Sequence, residues 1–300
     1  MQSSDVWLQK LGNLRVHRAR GDPAPHKPLL LLAAIDLAEE GHLPDRVLPL
    51  SPELAFRFCN YWSVVAHRRR QRPDVRLPFH HLSSDGFWSA LDEDGRASPA
   101  RGVTVFAELS PDFVTFLSDP AMRQKARAML VERYFRPSEQ VALRTILGLR
   151  APVPEELEPQ AAYSSVAEAR NAGREARFRV TVVAAYGYTC ALTRRCLTTA
   201  SVGSIVEAAH IHPFSDSRNN EPQNGIALAR DAHWLFDRGL WSITDDYRAI
   251  VAVGKFVESS PNARGLRDYH GEPLHLPEDR AIWPSPVHLA WHRKHVFQGY

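Results

Sequence analysis

Residues 207–243 read EAAHIHPFSDSRNNEPQNGIALARDAHWLFDRGLWSI, and this stretch decides the fold of the C-terminal part of the chain. Short apolar runs on both sides of a polar loop predict two strands, one ending at His210 and one spanning GIALA, residues 225–229. The following segment RDAHWLFDR, residues 230–238, predicts a helix that Gly239 ends. The order strand, loop, strand, helix is typical of a small, locally folded module.

Three polar residues of this module come from three consecutive elements. His210 ends the first strand, Asn224 and Gly225 predict a turn before the second strand, and His233 lies on the helix. These elements are short enough to place the three side chains over one cleft. Hydrolysis of a phosphodiester needs a base that activates water and a cation that neutralises the developing charge.

The pattern resembles the HNH nuclease family, in the branch with a first motif like EAAHI and a last motif like HW-x-FD-x-G. The resemblance implies that His210 is the general base, that Asn224 orients it or tethers its loop, and that His233 holds a divalent cation, Mg²⁺ or Mn²⁺. On a helix His233 and Asp237 are four residues apart and share a face, so Asp237 is the candidate second ligand.

One position departs from the pattern of the family. Many HNH nucleases have an Asp or His ligand directly before the base, whereas this chain has Ala209. Strand alternation predicts that His210 and His212 share one face, with Glu207 and Ala209 on the other. Either Glu207 or His212 can take the place of the missing ligand. The departure also leaves open a DNA-binding protein with a degenerate nuclease fold.

The length of 300 residues and an apolar fraction of 44% predict two globular domains. Residues 151–175, APVPEELEPQAAYSSVAEARNAGRE, are rich in Pro, Glu and Ala and predict a linker. We therefore expect an α+β chain. It has a mainly helical DNA-recognition domain with short strands in residues 1–150 and a ββα-metal HNH domain in residues 176–300.

Cysteine usage and hydropathy predict a soluble cytoplasmic protein. The three cysteines form no dense framework, and Cys190 and Cys196 have no second pair with which to bind zinc, so we expect them to be buried. The longest apolar run, residues 29–35, is too short to span a membrane, and the start MQSSDVWLQK lacks the pattern of a signal peptide.

Helix signals recur through the first 150 residues. Pro28 and Gly41 predict the two ends of one helix, and Ser51 predicts the start of a second. A third helix follows Ser110 and breaks near Pro120. Between these, VRLPFHHLSSDGFWSALDEDG, residues 75–95, alternates apolar and polar residues and predicts short strands.

Basic residues cluster in the same half of the chain. Beside a nuclease module they predict contacts with the phosphates of double-stranded DNA. The clustered residues are Arg15, Arg18, Arg20, Arg68, Arg69, Arg70, Arg72 and Arg76.

The segments HKPLLLL, residues 26–32, LPFHHL, residues 77–82, and DGFW, residues 85–88, resemble the sulfur-binding domain of modification-dependent restriction endonucleases. In that family an apolar cavity beside cations receives the sulfur of phosphorothioated DNA. The physical logic is that sulfur is less well hydrated than oxygen and gains from burial. The resemblance implies the DNA-binding residues His26, Lys27, Arg76, Leu77, Pro78, His80 and His81.

The combined expectation is a modification-dependent restriction endonuclease whose first domain binds modified DNA while the HNH module cuts nearby. An HNH nuclease that reads methylated bases or a particular sequence is the alternative within enzymes. Since one cleft cuts one strand, cleavage of both strands favours a homodimer. We expect the C-terminal tail, residues 276–297, to pack as a strap over the nuclease core, with a DNA-backbone contact as its alternative.

Overall fold

The computed structural model describes residues 3–19, 22–43, 46–68, 72–149, 162–199, 203–259 and 263–299. The contacts divide the chain into two compact units. Unit 1 comprises Met1–Arg177 and Thr199–Gly203, and unit 2 comprises Phe178–Thr198 and Ser204–Tyr300. Helices and small sheets occur in both units, which confirms the predicted α+β class.

Unit 1 is mainly helical and contains one three-stranded sheet. Its helices are α1 Ser3–Gly12, α2 His26–Glu39, α3 Pro52–Val65, α4 Arg76–His81, α5 Pro111–Ser118, α6 Pro120–Tyr134 and α7 Pro137–Ile146. Its strands are β1 Arg18–Ala19, β2 Asp22–Pro23, β3 Val47–Pro49, β4 Trp88–Leu91 and β5 Phe106–Leu109.

The core of unit 1 surrounds α2. Every residue from Leu29 to Ile35 is at most 5% exposed, so this helix is buried on all faces, as its unbroken apolar run predicts. The antiparallel sheet has the order β3-β5-β4, with Ala107 of β5 opposite both Leu48 and Ala90. Burial of these apolar faces is the main force that holds the unit together.

The predicted helix start at Ser51 and the predicted break near Pro120 are confirmed, and the helix after each point begins with a side-chain cap. Ser51 Oγ accepts a hydrogen bond from Leu54 N at 3.2 Å, and Asp119 Oδ1 accepts one from Ala121 N at 2.8 Å. The start of α2 differs from the prediction, because the helix begins at His26 and places Pro28 third. A proline is tolerated there since the first four N–H groups of a helix have no partner within it.

The strands predicted within residues 75–95 are wrong for the first half of that segment. Residues 76–81 form α4 and residues 82–85 form a 3-10 turn, so the only strand in the segment is β4. Pro78 explains the difference, because it has no N–H for a strand ladder but fits the first turn of a helix.

The predicted linker also differs from the structure. Helix α8, Ala162–Ala185, includes residues 162–175, and the division between the units falls within this helix, between Arg177 and Phe178. Residues 151–161 lie outside the described part of the chain. Next along the chain β6, Thr198–Thr199, and β7, Gly203–Ser204, form a two-stranded sheet.

Unit 2 is built on two hairpins with short helices. Its remaining strands are β8 Val206–His210, β9 Gly225–Ala229, β10 Trp241–Ile243 and β11 Ala249–Val251, and its helices are α9 Phe214–Ser217, α10 Arg230–Asp237 and α11 Pro286–His295. Strands β8 and β9 pair with each other, as do β10 and β11. The predicted order strand, loop, strand, helix is therefore confirmed.

The C-terminal tail contributes to the core of unit 2. Leu289 and His292 of α11 are buried, and Arg293 donates to the carbonyl oxygen of Ile243 on β10 at 2.7 Å. Cys190 is buried as expected, whereas Cys196 is exposed. No helix in the described ranges has both the length and the apolar character of a membrane span.

A buried arginine joins two helices of unit 1. Arg127 of α6 is 2% exposed, and its Nη2 lies 2.6 Å from Asp36 and 2.5 Å from Glu39, both on α2. The hydroxyl of Tyr61 on α3 donates to the same Asp36 carboxylate. The guanidinium therefore compensates charge that α2 would otherwise bury without a partner.

Replacing this arginine is expected to destabilise unit 1 strongly. Arg127→Leu leaves the largely buried Asp36 carboxylate without its cation, and we expect a loss of about 3 kcal/mol in the free energy of unfolding, measured by chemical denaturation. Lys125→Leu removes an exposed cation from the same helix and should change stability by less than about 0.5 kcal/mol. Equal effects of the two substitutions would contradict the assigned role.

Candidate active site

The β8–β9 hairpin positions the predicted catalytic histidine. His210 is the last residue of β8 and lies opposite Gly225, the first residue of β9. The His210 ring stacks on Phe178 of α8, with centroids 4.0 Å apart and planes 7° apart. A Cβ at position 225 would lie 2.8 Å from Phe178 and 2.5 Å from Val182, so glycine allows α8 to approach this end of the hairpin.

Nε2 of the His210 ring has a defined partner. Nε2 lies 2.8 Å from the side-chain oxygen of Asn220. Because an amide oxygen only accepts hydrogen bonds, Nε2 carries the proton in the neutral ring, and Nδ1 is then the basic nitrogen. Asn220 was not among the predicted site residues, since nothing in the Asn219-Asn220 pair distinguishes it from other loop asparagines.

Asn224 tethers the loop between β8 and β9. Its side chain is fully buried, its oxygen accepts from His212 N at 2.9 Å, and its nitrogen donates to the carbonyls of His212 at 2.9 Å and Asn219 at 3.0 Å. The turn predicted at Asn224 and Gly225 is not formed. Asn224 instead ends a 3-10 turn, and Gly225 has an extended backbone with φ −121°.

His233 lies between two carboxylates. Its Nε2 is 3.4 Å from Asp237 Oδ2 one turn along α10, which confirms that these two residues share a helix face. Its Nδ1 is 3.5 Å from Glu207 Oε2, and the other Glu207 oxygen accepts from Arg230 Nε at 2.8 Å. Each nitrogen of the imidazole therefore has an acidic neighbour.

Glu207 and His212, the two candidates for the metal ligand that is missing at Ala209, have different surroundings. Glu207 lies beside His233, whereas the His212 ring stacks on Trp291 of α11 with centroids 3.8 Å apart. Strand β8 ends at His210, so the alternation of faces that paired His210 with His212 stops there. Only Glu207 reaches the predicted metal ligands.

Three of the predicted site residues, His210, His233 and Asp237, line one cavity. It has a volume of about 330 Å³ and is lined by His210, Ile211, Pro213, Phe214, Ser215, His233, Asp237, His292 and Val296. Asn224 is absent from the lining because its side chain is buried behind it. Within the described ranges, no three or more His, Cys, Asp or Glu side chains form a group arranged to hold a metal.

His292 is a buried lining residue that sequence reasoning missed. Its ring stacks on Phe236 with centroids 3.8 Å apart, its Nδ1 lies 2.8 Å from Ser242 Oγ, and its Nε2 lies 3.2 Å from the carbonyl oxygen of Phe236. Burial lowers the pKa of His292 to about 4. The hydrogen bond to the Phe236 carbonyl acts to raise this pKa, and the nearby charge of Arg293 acts to lower it. His292 is therefore neutral at physiological pH.

A second cavity lies in unit 1. It has a volume of about 550 Å³ and is lined by Arg15, Val16, His17, Ala24, His26, Lys27, Leu77, Pro78, His81 and Ser84. Five predicted DNA-binding residues, His26, Lys27, Leu77, Pro78 and His81, are thus brought together. The apolar wall of Leu77 and Pro78 comes from the first turn of α4.

The other two predicted residues of unit 1 lie outside this lining. Arg76 donates to the Asp74 carboxylate from Nε at 2.9 Å, and His80 Nδ1 lies 2.9 Å from Thr104 Oγ1. Of the predicted basic clusters, Arg15 lines the cavity, whereas Arg20, Arg69 and Arg70 fall outside the described residues.

Lys27 is held from within the protein. Its Nζ donates to the carbonyl oxygen of Arg15 at 2.8 Å, to Ser84 Oγ at 2.8 Å and to Asp85 Oδ2 at 2.6 Å. These bonds use all three donors of an ammonium group. Lys27 therefore fixes the wall of the cavity, and its charge is already balanced by Asp85.

His81 adds little positive charge to this cavity at neutral pH. Burial is the largest cause that lowers the pKa of His81, and electrostatic interactions with His80, Lys27 and Arg101 lower it further. On the described lining, Asp85 balances the charge of Lys27. The permanent positive charge that remains is the guanidinium of Arg15.

Comparison with known proteins identifies the C-terminal module. A family model described as HNH endonuclease matches residues 190–244, which include β8, β9 and α10. The chain thus carries an HNH endonuclease domain. Comparison with curated proteins gives no match.

Three solved structures are similar to parts of the chain. A modification-dependent TagI restriction endonuclease is 18% identical with a TM-score of 0.30, and the match covers 40% of this chain and 37% of that one. The sulfur-binding domain of SprMcrA complexed with phosphorothioated DNA is 20% identical with a TM-score of 0.36, over 49% of this chain and 94% of that one. The corresponding domain of ScoMcrA, also with phosphorothioated DNA, is 25% identical with a TM-score of 0.32, over 55% and 98%.

These structural similarities are weak, with every TM-score below 0.5. This chain spans 37% of the length of the restriction endonuclease. The nuclease assignment therefore rests on the family match over residues 190–244.

The buried His292 is expected to make stability depend on pH. Its folded pKa of about 4 lies below the ordinary 6.5, so the unfolded chain binds more protons between these values. The neutral, buried His292 side chain thereby contributes on the order of 3 kcal/mol to the free energy of unfolding. This contribution is complete above about pH 7 and is lost as the pH falls towards 4. Urea denaturation between about pH 7.5 and pH 5 measures this slope.

His292→Gln removes the titrating group and should flatten the pH dependence of the unfolding free energy. His295→Gln replaces an exposed histidine of the same helix and should leave the slope unchanged. An unaltered slope in the His292 variant would show that its titration does not control stability.

Proposed function

We propose that this chain is a modification-dependent restriction endonuclease. Unit 1 binds modified double-stranded DNA, with phosphorothioated DNA as the preferred substrate, and the HNH domain hydrolyses phosphodiester bonds nearby with a divalent cation. The observation that carries the proposal is the single cavity lined by His210, His233 and Asp237.

His210 acts as the general base in this proposal. The Asn220 oxygen holds the proton on Nε2, and the Phe178 ring fixes the plane of the imidazole. Nδ1 then accepts the proton of the attacking water as the water oxygen bonds to phosphorus, the P–O bond to the leaving oxygen breaks, and that oxygen takes the electron pair. A base with a fixed tautomer and plane loses little freedom at the moment of reaction.

The donor set around His233 fits a hard divalent cation. His233 Nε2 and Asp237 would hold it, and the Glu207 carboxylate, 3.5 Å from His233 Nδ1, would help to orient the ring, as acidic neighbours of metal-binding histidines commonly do. Mg²⁺ and Mn²⁺ suit so few protein ligands, because Mg²⁺ keeps several waters and binds substrate phosphate. When bound, the cation neutralises charge on the phosphate and on the leaving oxygen.

The cavity of unit 1 has the chemistry to distinguish sulfur from oxygen. Leu77 and Pro78 present apolar surface, and the Arg15 guanidinium supplies charge for the phosphate group. A phosphorothioate sulfur loses less hydration than a phosphate oxygen when it is buried against such surface. Lys27 and Asp85 keep the wall in place without competing for the ligand.

Removal of the proposed base is expected to slow cleavage strongly and to leave DNA binding unchanged. His210→Ala should cut DNA about 10²- to 10⁴-fold more slowly with Mg²⁺ or Mn²⁺, measured by single-turnover cleavage, and should bind the same duplex as before. His295→Ala, which changes an exposed histidine outside the cavity, is the control. Cleavage by the His210 variant at the original rate would refute the assignment of the base.

Loss of the apolar wall is expected to reduce selectivity for the modification. Leu77→Ser should lower the preference for a phosphorothioated over an unmodified duplex by about tenfold, measured by equilibrium binding, because apolar contact area is lost. Val103→Ser, at an exposed position outside the cavity, should leave the preference intact.

Cleavage of three matched duplexes, one phosphorothioated, one methylated and one unmodified, tests the proposed modification-dependent nuclease activity. Cleavage of phosphorothioated, methylated and unmodified duplexes at equal rates would refute modification dependence. Preference for the methylated duplex would favour a reader of methylated bases, and binding without cleavage under every metal would indicate a DNA-binding protein with an inactive nuclease domain.

A further inference from the structure

The cavity of the HNH domain lacks a cationic side chain on its described lining. Its charged and titratable members are His210, His233, His292 and Asp237, and none of the lining residues is an arginine or lysine. A phosphodiester carries a full negative charge and gains more during hydrolysis. A cation that approaches the phosphate from the protein side must therefore come from the rim.

Arg218 occupies that rim. Its guanidinium carbon lies 5.6 Å from the centre of the Phe214 ring, within the range of a cation–π contact. Phe214 lines the cavity, and its ring centre lies 5.9 Å from that of His210. The guanidinium is exposed and is carried by the same loop that holds Asn220 against the base.

The charge of Arg218 is not balanced by an ion pair within the described residues. The nearest acidic residue along the chain, Asp216, accepts a hydrogen bond from Ser215 Oγ at 2.9 Å. By contrast Arg230, on the same domain, is paired with Glu207. A guanidinium that lies on an aromatic face keeps its N–H donors, which point outward in its plane, available for a phosphate.

The backbone of Arg218 favours a different residue. It follows the short helix α9 with φ 50° and ψ 26°, and its N–H donates to the Phe214 carbonyl at 3.0 Å. This left-handed position at the end of a helix is one that glycine fills most easily. An arginine that is kept there at a conformational cost points to a use for its side chain.

We propose that Arg218 binds the substrate, donating to non-bridging oxygens of the DNA phosphate as the strand enters the cavity. The planar guanidinium matches two phosphate oxygens at once, and the Phe214 ring keeps it at the rim. This inference rests on the proposed nuclease function and adds a substrate-binding residue to it.

Substitution by glycine separates a binding role from a structural one. Arg218→Gly relaxes the left-handed backbone, so the thermal unfolding midpoint should stay constant or rise, while kcat/KM for cleavage of a DNA duplex with Mg²⁺ or Mn²⁺ should fall about 10- to 100-fold. Arg218→Lys keeps the charge but loses the planar fork, and an intermediate rate is expected.

The chain offers a matched control in Arg194. This residue is an arginine of the same unit with φ 57°, and it donates to the carbonyl oxygen of Pro273 instead of standing over a cavity residue. Arg194→Gly removes the same charge and relaxes the same backbone conformation, and it should cleave at the original rate. Equal cleavage by the Arg218 and Arg194 variants, whether normal or impaired, would overturn the proposal.

A binding measurement distinguishes failure of this inference from failure of the proposed function. In the His210→Ala background, Arg218→Gly should reduce the slope of log affinity against log salt by about 0.9, the value of one phosphate contact, while Arg194→Gly leaves it unchanged. An unchanged slope in the Arg218 variant overturns the inference even when the parent chain cleaves DNA. A parent that binds DNA but does not cleave it refutes the nuclease function alone.

Discussion

The buried amide of Asn224 holds together the loop between β8 and β9 of the HNH domain. Its oxygen and nitrogen satisfy the N–H and C=O of His212 at one end of the loop and the C=O of Asn219 near the other. Each of these groups would cost about 1–3 kcal/mol if it were buried without a partner. Because Asn219 is fixed, its neighbour Asn220 reaches Nε2 of His210, and the tautomer of this imidazole depends on the loop.

The packing of α8 on the hairpin provides the second support of His210, the proposed base. The Phe178 ring lies flat against His210, and Gly225 leaves room for it because its missing Cβ would overlap the ring. One face of the imidazole is thus packed while one edge is hydrogen bonded. The proposed chemistry takes place at Nδ1.

Charged residues in this protein have two physical roles that a sequence does not separate. Lys27 and Arg127 are both buried and both satisfied by carboxylates within unit 1, so their charges stabilise structure. Arg15 and Arg218 lie on a cavity wall or rim, and neither guanidinium forms an ion pair within the described part of the chain, which fits contact with an anion. The difference follows from burial and from the position of acids that are distant in sequence.

The sequence alone determined the elements of the HNH module and indicated its candidate catalytic residues. Local signals placed β8, β9 and α10, and the four-residue spacing of His233 and Asp237 placed both on one helix face, because strand and helix geometry repeat over a few residues. Local signals failed at Pro78, where period-two alternation predicted strands although the missing N–H favours the first turn of a helix.

Only the tertiary structure decided which partners complete each site. Lys27 and Asp85 are 58 residues apart, and the proximity of Glu207 to His233 or of Phe178 to His210 joins different elements of the chain. Such contacts depend on how buried polar groups are satisfied and on how close two backbones can approach. Neither quantity has a period along the sequence, so folding alone brings these residues together.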